Sequence, residues 1–204
     1  MIRAVTFDLW DTLVLDDTDE PRRAAAGLKS KAATREALFV DEVLAHHPDA
    51  PAAKAYAHLQ ERFRHHWKVE HHTPSVADRL LEGYKFLDLE PTPGFDAVVH
   101  AFSTMEVEIP PDPVPNVVEC LKVVKERYRV GIVSDAIVTP GSGLRELLAG
   151  HGLADFFEVF VFSDEAGAAK PARKVFDLAA EGLGVELNEL VHIGDRESND
   201  IVGA

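Results

Sequence analysis

Residues 3–14, RAVTFDLWDTLV, decide the fold that this sequence predicts. The apolar run from Ala4 to Phe7 predicts a short buried strand, and Asp8 follows it directly at the start of a polar turn. A strand that delivers a carboxylate into a tight turn is typical of an α/β protein that presents a nucleophile. The remaining chain must then supply the neighbouring strands.

The second half of the chain alternates strand patterns with helix patterns. We predict strands at Tyr128 to Val133, Val159 to Phe162 and Leu190 to Ile193, with apolar residues at helical spacing between them. Alternating units of this kind predict an α/β fold, in which a mostly parallel sheet has helices on both faces. Ligands of such folds bind at the carboxyl ends of the strands.

A long insertion separates the first strand from the others. From about Glu20 to Ile109 there is no convincing strand, and Ala24 to His46 and Ala52 to Lys68 predict amphipathic helices. The segment Pro110 to Asn116, PPDPVPN, predicts a stiff boundary, because proline restricts its own φ and the residue before it. We therefore predict an inserted all-helical subdomain.

Composition limits the classes of partner. The chain has 204 residues and a formal charge of −14, which repels nucleic acid and anionic membrane surfaces. No apolar run approaches the roughly 20 residues of a membrane span. Cys120 is the only cysteine, so no internal disulfide forms, and the first residues lack a signal-peptide pattern. We expect a cytoplasmic protein without a nucleic-acid or membrane partner.

Four polar residues follow the four predicted strands. Asp8 follows the first, Ser134 the second, Lys170 the third and Asp195 the fourth. Each alone is ordinary, because serine and aspartate form turns and cap helices, and a lone lysine is usually solvated. All four at the same edge of a parallel sheet indicate a site.

These motifs resemble those of the haloacid dehalogenase-like (HAD) hydrolase superfamily over nearly the whole chain. The first motif is FDLWDTL, the second IVSD, the third the run that begins KPARKVF, and the fourth IGDRESNDIVGA. The resemblance implies a Rossmann-like core formed by residues 1–18 and 110–204. It also implies that residues 19–109 form a C1-type helical cap that closes over the site.

The resemblance assigns catalytic and metal roles to specific residues. Asp8 is the implied nucleophile, which attacks phosphorus and is regenerated by water. Asp8 and Asp195 would hold Mg²⁺, a cation that prefers oxygen ligands and shares its shell with substrate phosphate. The family also implies the backbone carbonyl of Trp10 as a third ligand, with Asp200 as a ligand or support.

The same resemblance implies how the substrate is held. Lys170 would neutralise charge on the transferred group, and the Ser134 hydroxyl with the backbone N–H groups from Leu9 through Trp10 to Asp11 would bind its oxygens. Asp135 stands where the family often has asparagine, so it adds negative charge near the phosphate. The expected partner is a small phosphate ester, bound by a monomer or homodimer.

Trp10 departs from the family pattern. Most phosphatases of the family have an aspartate two residues after the nucleophile, which protonates the leaving oxygen and later activates water. Tryptophan does neither, and loss of such an acid and base costs about 10²–10⁴ in rate. Asp11 is the nearest substitute, although a turn-forming role is the alternative for it.

Two alternatives to a phosphatase follow from this departure. An aromatic residue at position 10 resembles the metal-independent dehalogenase branch, in which halide leaves without a proton. GDRESND in the fourth motif instead matches the metal-binding form through Asp195 and Asp200. The other alternative is a non-catalytic regulatory protein that retains the fold, although an inert scaffold has no need for Asp8, Lys170 and Asp195 together.

Three further expectations concern the cap and the chain end. The basic stretch with Arg22, Arg23, Lys29, Lys31 and Arg35 is predicted to be a solvated helix face, with a substrate-anion clamp as the alternative. Phe63 and Trp67 are predicted to pack inside the cap. The family usually continues beyond IVGA with a helix and a strand, so a truncated chain is expected to lack one sheet edge.

Overall fold

The computed structural model describes all 204 residues and contains one sheet of four parallel strands. The strands are β1 Ala4–Phe7, β2 Arg129–Ser134, β3 Val159–Phe162 and β4 Leu190–Ile193. Their order is β3-β2-β1-β4, so β1 is central. The predicted α/β fold is confirmed, and all four predicted strands are present. The second lies one residue later than predicted, so that Ser134 ends the strand rather than follows it.

The register of the sheet aligns the ends of its strands. Phe7 pairs with Ile132 on one side and with Ile193 on the other. Because all pairs are parallel, the residues that follow β1 and β4 and the last residue of β2 reach one edge of the sheet. This register brings Asp8, Ser134 and Asp195 to the same side.

Nine α-helices accompany the sheet. They are α1 Glu20–Ala25, α2 Lys31–His46, α3 Ala52–Lys68, α4 Val76–Leu87, α5 Phe95–Glu108, α6 Val117–Lys125, α7 Gly141–Gly150, α8 Ser163–Ala166 and α9 Arg173–Gly182. Short 3₁₀ turns lie at Ala154–Phe156 and Leu187–Glu189, and a π-helical turn lies at Glu197–Ile201. None of the helices combines the length and apolar character that a membrane crossing requires.

Two apolar clusters hold helices against the sheet. The larger joins β1 and β2 to α6 and α7 through residues such as Ile132, Leu121 and Leu144. The smaller joins β2 and β3 to α9 through Val133 and Phe176. Ile132 and Val133 are neighbours on one strand, so their side chains point to opposite faces. The sheet is therefore covered on both faces, as the alternating pattern predicts.

A third cluster belongs to the helical insertion. Phe39, Leu59, Leu80 and Phe102 are buried together, one from each of α2 to α5. No strand interrupts residues 20–108, in agreement with the sequence pattern. This separate core supports the division into residues 1–18 and 110–204 as one unit and 19–109 as a cap, which stays a prediction.

The single helix predicted from Ala24 to His46 is wrong at its start. Helix α1 ends at Ala25, and α2 begins only at Lys31. Gly27 lies between them with φ of 73°, a conformation that ends a helix and that glycine adopts without strain. The Ser30 side chain then accepts a hydrogen bond from the Ala33 N–H, which caps the new helix.

Candidate active site

Lys170 is the centre of the site at the carboxyl edge of the sheet. Its Nζ lies 2.9 Å from Oδ1 of Asp8 and 2.5 Å from Oδ1 of Asp200. The Lys170 side chain is 2% exposed, and those of Asp8 and Asp200 are 7% and 1% exposed. Ion pairs this deeply buried are weakly screened, so one ammonium group holds two carboxylates in fixed positions.

Three carboxylates converge beside this lysine. Ligand atoms of Asp8, Asp195 and Asp200 all lie within 4.8 Å of one another. Burial raises the pKa of Asp195, and the negative charge of Asp8 raises it further. Burial acts in the same direction on Asp200, but hydrogen bonds from His192 and Lys170 outweigh it and hold the pKa of Asp200 well below its usual range. Lys170 therefore neutralises only part of the acidic charge.

The free oxygens of this group fit a divalent cation. Oδ1 of Asp8 accepts a hydrogen bond from the Leu9 N–H and forms an ion pair with Lys170, whereas its Oδ2 and the Asp195 carboxylate accept no hydrogen bond from another residue. The Trp10 carbonyl also accepts no hydrogen bond. Asp8, Asp195 and the Trp10 carbonyl thus retain the oxygen lone pairs that Mg²⁺ requires.

Asp200 differs from the other two carboxylates. Its Oδ1 accepts from Lys170 and His192, and its Oδ2 accepts from the Arg196 backbone N–H at 2.8 Å. The His192 ring is held in turn by the Thr6 hydroxyl, 3.0 Å from Nδ1. Since both oxygens are engaged, Asp200 suits the supporting role for a metal site better than the role of a direct ligand.

Two polar groups at the ends of β1 and β2 have no hydrogen-bond partner. The Ser134 hydroxyl is buried and has no hydrogen-bond partner, an uncommon state for a buried polar atom. The Trp10 backbone N–H also donates to no group. A bound anion would satisfy both donors.

The other two N–H groups of the turn have protein acceptors in this structure, so the expectation that all three bind substrate stays a prediction. Leu9 N–H donates to Oδ1 of Asp8 at 2.8 Å, and Asp11 N–H donates to the Val14 carbonyl at 2.7 Å. The tight turn after β1 explains the difference, because its own closure consumes these donors. Only the Trp10 N–H remains available.

Asp135 is held by three protein donors. Its Oδ1 accepts from the Lys170 backbone N–H at 2.9 Å, and its Oδ2 accepts from the Trp67 indole at 2.8 Å and the Asn199 amide at 3.0 Å. Burial raises the pKa of Asp135, although the Lys170 charge and the Trp67 N–H favour the carboxylate. A substrate group would compete with all three donors, so the geometry gives Asp135 a positioning role.

No carboxylic acid occupies the place of the missing general acid. The Trp10 side chain is 8% exposed and packs in the larger sheet cluster. Asp11 is exposed at φ of 53°, and its Oδ1 accepts from the Asp16 N–H at 3.1 Å. This hydrogen bond closes the turn on the outside, in agreement with the turn-forming alternative for Asp11.

Three residues of the site were not assigned to it from the sequence. Trp67 lies in the last turn of α3 and reaches Asp135 instead of packing only within the cap. Arg196 and Asn199 line a small cavity together with Asp8 and Lys170. Position within the fourth motif is the signal that could have indicated Arg196 and Asn199. The role of Trp67 depends on where the cap rests on the sheet, which no local pattern reveals.

The basic stretch of the cap is not a solvated face, so that expectation is wrong for Lys31. The Lys31 side chain is 4% exposed, and its Nζ lies 2.9 Å from Asp19, 3.2 Å from Asp16 and 3.5 Å from Glu106. Burial alone would lower the pKa of Lys31, but these carboxylates hold it well above its usual range. The ammonium is thus committed to an internal ion cluster, which leaves no free charge for a substrate.

Residues 2–204 match the family described as haloacid dehalogenase-like hydrolase. The glyceraldehyde 3-phosphate phosphatase of Methanopyrus kandleri is 31% identical over the whole of this chain and 80% of its own length. The Escherichia coli pyrimidine 5'-nucleotidase YjjG is 33% identical over 45% of this chain, and the match spans only 40% of that protein.

Two solved structures share the fold. A HAD phosphatase from Thermococcus onnurineus superposes with a TM-score of 0.60 at 23% identity, over 99% of this chain and 81% of its own. A 2-haloacid dehalogenase from Pseudomonas syringae gives 0.61 at 20% identity, over 100% and 82%. The backbone is about equally similar to that of a phosphatase and that of a dehalogenase, so the side chains of the site must distinguish the two reactions.

Proposed function

The chain belongs to the haloacid dehalogenase-like hydrolases, and from that premise we propose that it is a magnesium-dependent phosphatase that hydrolyses a small phosphate ester through Asp8. The cluster of Asp8, Asp195 and Asp200 within 4.8 Å carries the proposal. Such a cluster repels a second anion unless a cation neutralises it, and a phosphate ester brings both charge and oxygen ligands. The phosphatase relatives of 31% identity support the same reaction class.

In the first step an Asp8 oxygen attacks phosphorus and the ester oxygen departs, which leaves an acyl phosphate on Asp8. In the second step water attacks that phosphorus, phosphate leaves, and the Asp8 carboxylate is restored. Lys170 neutralises charge at Asp8, and the Ser134 hydroxyl donates to a phosphoryl oxygen. Mg²⁺ held by Asp8, Asp195 and the Trp10 carbonyl would offset repulsion between the two anions.

Trp10 restricts the substrates that such an enzyme turns over well. It has no proton to give to the departing alcohol oxygen, so water or the substrate itself must supply one. The proposal therefore favours esters with good leaving groups, or slow turnover of ordinary alcohol esters.

Trp10 is also the observation that favours a second candidate, a 2-haloacid dehalogenase. In that reaction the Asp8 carboxylate displaces halide from carbon, and the departing halide needs no proton. The Asp195 carboxylate beside Asp8 argues against this candidate, because a metal-free site would keep two negative charges close together with only the Arg196 charge to offset that of Asp195.

One experiment separates these candidates. The purified protein is assayed on a panel of phosphate esters and 2-haloacids, with Mg²⁺ or with a chelator, beside the Asp8→Asn variant. Phosphate release that requires Mg²⁺ and disappears in Asp8→Asn supports the phosphatase. Halide release in the presence of chelator would establish the dehalogenase instead, and no turnover of either class would favour a regulatory protein.

A further inference from the structure

A cavity of about 530 Å³ opens beside the site between the cap and the sheet. Its cap wall is formed by Trp67, Lys68 and His71, and its core wall by Lys170, Pro171, Arg196, Ser198 and Asn199. Lys170 also contacts Asp8, so the cavity begins one side chain away from the nucleophile. A group attached to the phosphate can extend into this space.

The charge of this cavity is opposite to that of the protein. The chain carries a formal charge of −14, yet no aspartate or glutamate lines the cavity. Lys170 is neutralised by Asp8 and Asp200, whereas Lys68 and Arg196 form no ion pair. Two uncompensated cations therefore face one cleft of an acidic protein.

Both cations are positioned by the same aromatic ring. Lys68 Nζ and the Arg196 guanidinium carbon each lie 5.5 Å from the centre of the Trp67 ring, a distance at which a ring face attracts cations. The ring is fixed by its N–H bond to Asp135 and by stacking on Phe63 at 6.4 Å. His71 adds a buried Nδ1 that has no partner.

A second cavity beside the site has a different set of charges. This cavity of about 290 Å³ is lined by Trp10 and Arg196 together with Asp16, Asp17, Glu20 and Glu106. Of its other cations, Lys31 and Arg35 are both paired with Glu106. Arg196 lines both cavities, but four carboxylates line this one and none lines the cavity of Lys68, so an anionic group is favoured on the side of Lys68.

We propose that the cavity formed by Trp67, Lys68, His71 and Arg196 binds a second anionic group on the substrate, either a carboxylate or another phosphate. The inference rests on the proposed phosphatase activity and narrows its substrate to phosphate esters with an anionic leaving group. Lys68 and Arg196 are then specificity-determining residues, because they contact the part of the substrate that departs.

Matched ester pairs test this assignment. Glycerol 3-phosphate is compared with 3-phosphoglycerate, and fructose 6-phosphate with fructose 1,6-bisphosphate, in the wild type and in Lys68→Gln and Lys68→Glu. Lys54→Gln is the control, because Lys54 is exposed on the same helix and forms no ion pair. We expect a KM lower by about three- to tenfold for the anionic member in the wild type. That preference should shrink in Lys68→Gln, where Arg196 remains, shrink further in Lys68→Glu and persist in Lys54→Gln.

A preference in only one pair identifies the group as carboxylate or phosphate and upholds the assignment. Equal KM values within both pairs, or Lys68 variants that affect both members equally, would overturn it. Binding of the same four esters to Asp8→Asn, measured by calorimetry with Mg²⁺, separates the cavity from the chemistry. If the variant binds the anionic esters selectively but the wild type releases no phosphate, the phosphatase proposal is wrong and the anion site is supported. If binding is unselective, the proposed anion site is wrong.

Discussion

The indole N–H of Trp67 donates a hydrogen bond of 2.8 Å to Oδ2 of Asp135, so the last turn of a cap helix is tied to the residue that follows β2. Asp135 in turn accepts from the Lys170 backbone N–H. The cap therefore contacts the segment that carries Lys170 through one carboxylate. Trp67 and Lys170 are therefore coupled through consecutive hydrogen bonds to Asp135.

Replacing Trp67 with phenylalanine tests that coupling. An aromatic ring is retained, although a smaller one, and the donor to a buried carboxylate is lost; a hydrogen bond to a charged group contributes about 1.5–3 kcal/mol. We expect kcat/KM for phosphate esters to fall about tenfold or more, with a smaller change in urea stability. A double-mutant cycle with Asp135→Asn isolates the pair. A coupling energy below about 0.3 kcal/mol would contradict the link.

Trp10 offers a direct test of the missing general acid. Its side chain is buried, so any polar replacement costs stability, by about 3–5 kcal/mol for loss of the large ring. Trp10→Asp and Trp10→Asn share that cost and differ only in the acid. If the missing acid limits the rate, Trp10→Asp should turn over phosphate esters at least about tenfold faster than Trp10→Asn.

The pH profile provides the second measurement for this pair. Trp10→Asp should gain an ionisation that Trp10→Asn and the wild type lack, because the new carboxyl must be protonated to serve the leaving group. Equal rates and identical profiles in the two variants, with both proteins folded by circular dichroism, would show that another step limits turnover.

The strand ends are predictable because a strand is a local pattern in the sequence. The residues at those ends are then predicted to meet because parallel strands align their carboxyl ends. Asp8, Ser134 and Asp195 meet for that reason. Trp67 and Asp135 are 68 positions apart and meet only because the cap rests on the sheet in one orientation. Such a contact has no local signature.

Lys31 illustrates a second kind of failure. A basic stretch normally predicts a solvated face, but the break at Gly27 turns α2 so that Lys31 points inward. Its carboxylate partners come from two separate segments, with Asp16 and Asp19 before α1 and Glu106 on α5. Helical periodicity is a pattern within one segment, so it does not predict contacts between segments.

The Asp195→Asn variant tests whether Asp195 is a metal ligand. If Asp195 is a direct ligand, Asp195→Asn should raise the Mg²⁺ concentration for half-maximal activity by about tenfold or more. Mg²⁺ should also stabilise the wild type, by about 1.4 kcal/mol at ten times its Kd, and stabilise the variant less. Thermal unfolding with and without Mg²⁺ measures this independently of turnover. Equal Mg²⁺ responses in the two proteins would remove Asp195 from the metal site.

Lys31→Met tests the ion cluster between the cap and the segment before α1. The variant leaves the buried Asp19 and Glu106 carboxylates without their shared cation, so we expect a loss of about 3 kcal/mol in the free energy of unfolding. The exposed Lys29 provides the control, and Lys29→Met should change stability by less than about 0.5 kcal/mol.

The pKa of Lys31 is raised in the folded state, so its contribution to stability is complete below the unfolded value of about 10.4 and is lost only as the pH rises through the folded value. The stability gap between wild type and Lys31→Met should therefore be constant from pH 7 to about pH 9. Urea unfolding across this range measures the gap, and a gap that already closes between pH 7 and 9 would show that Lys31 is not held by these carboxylates.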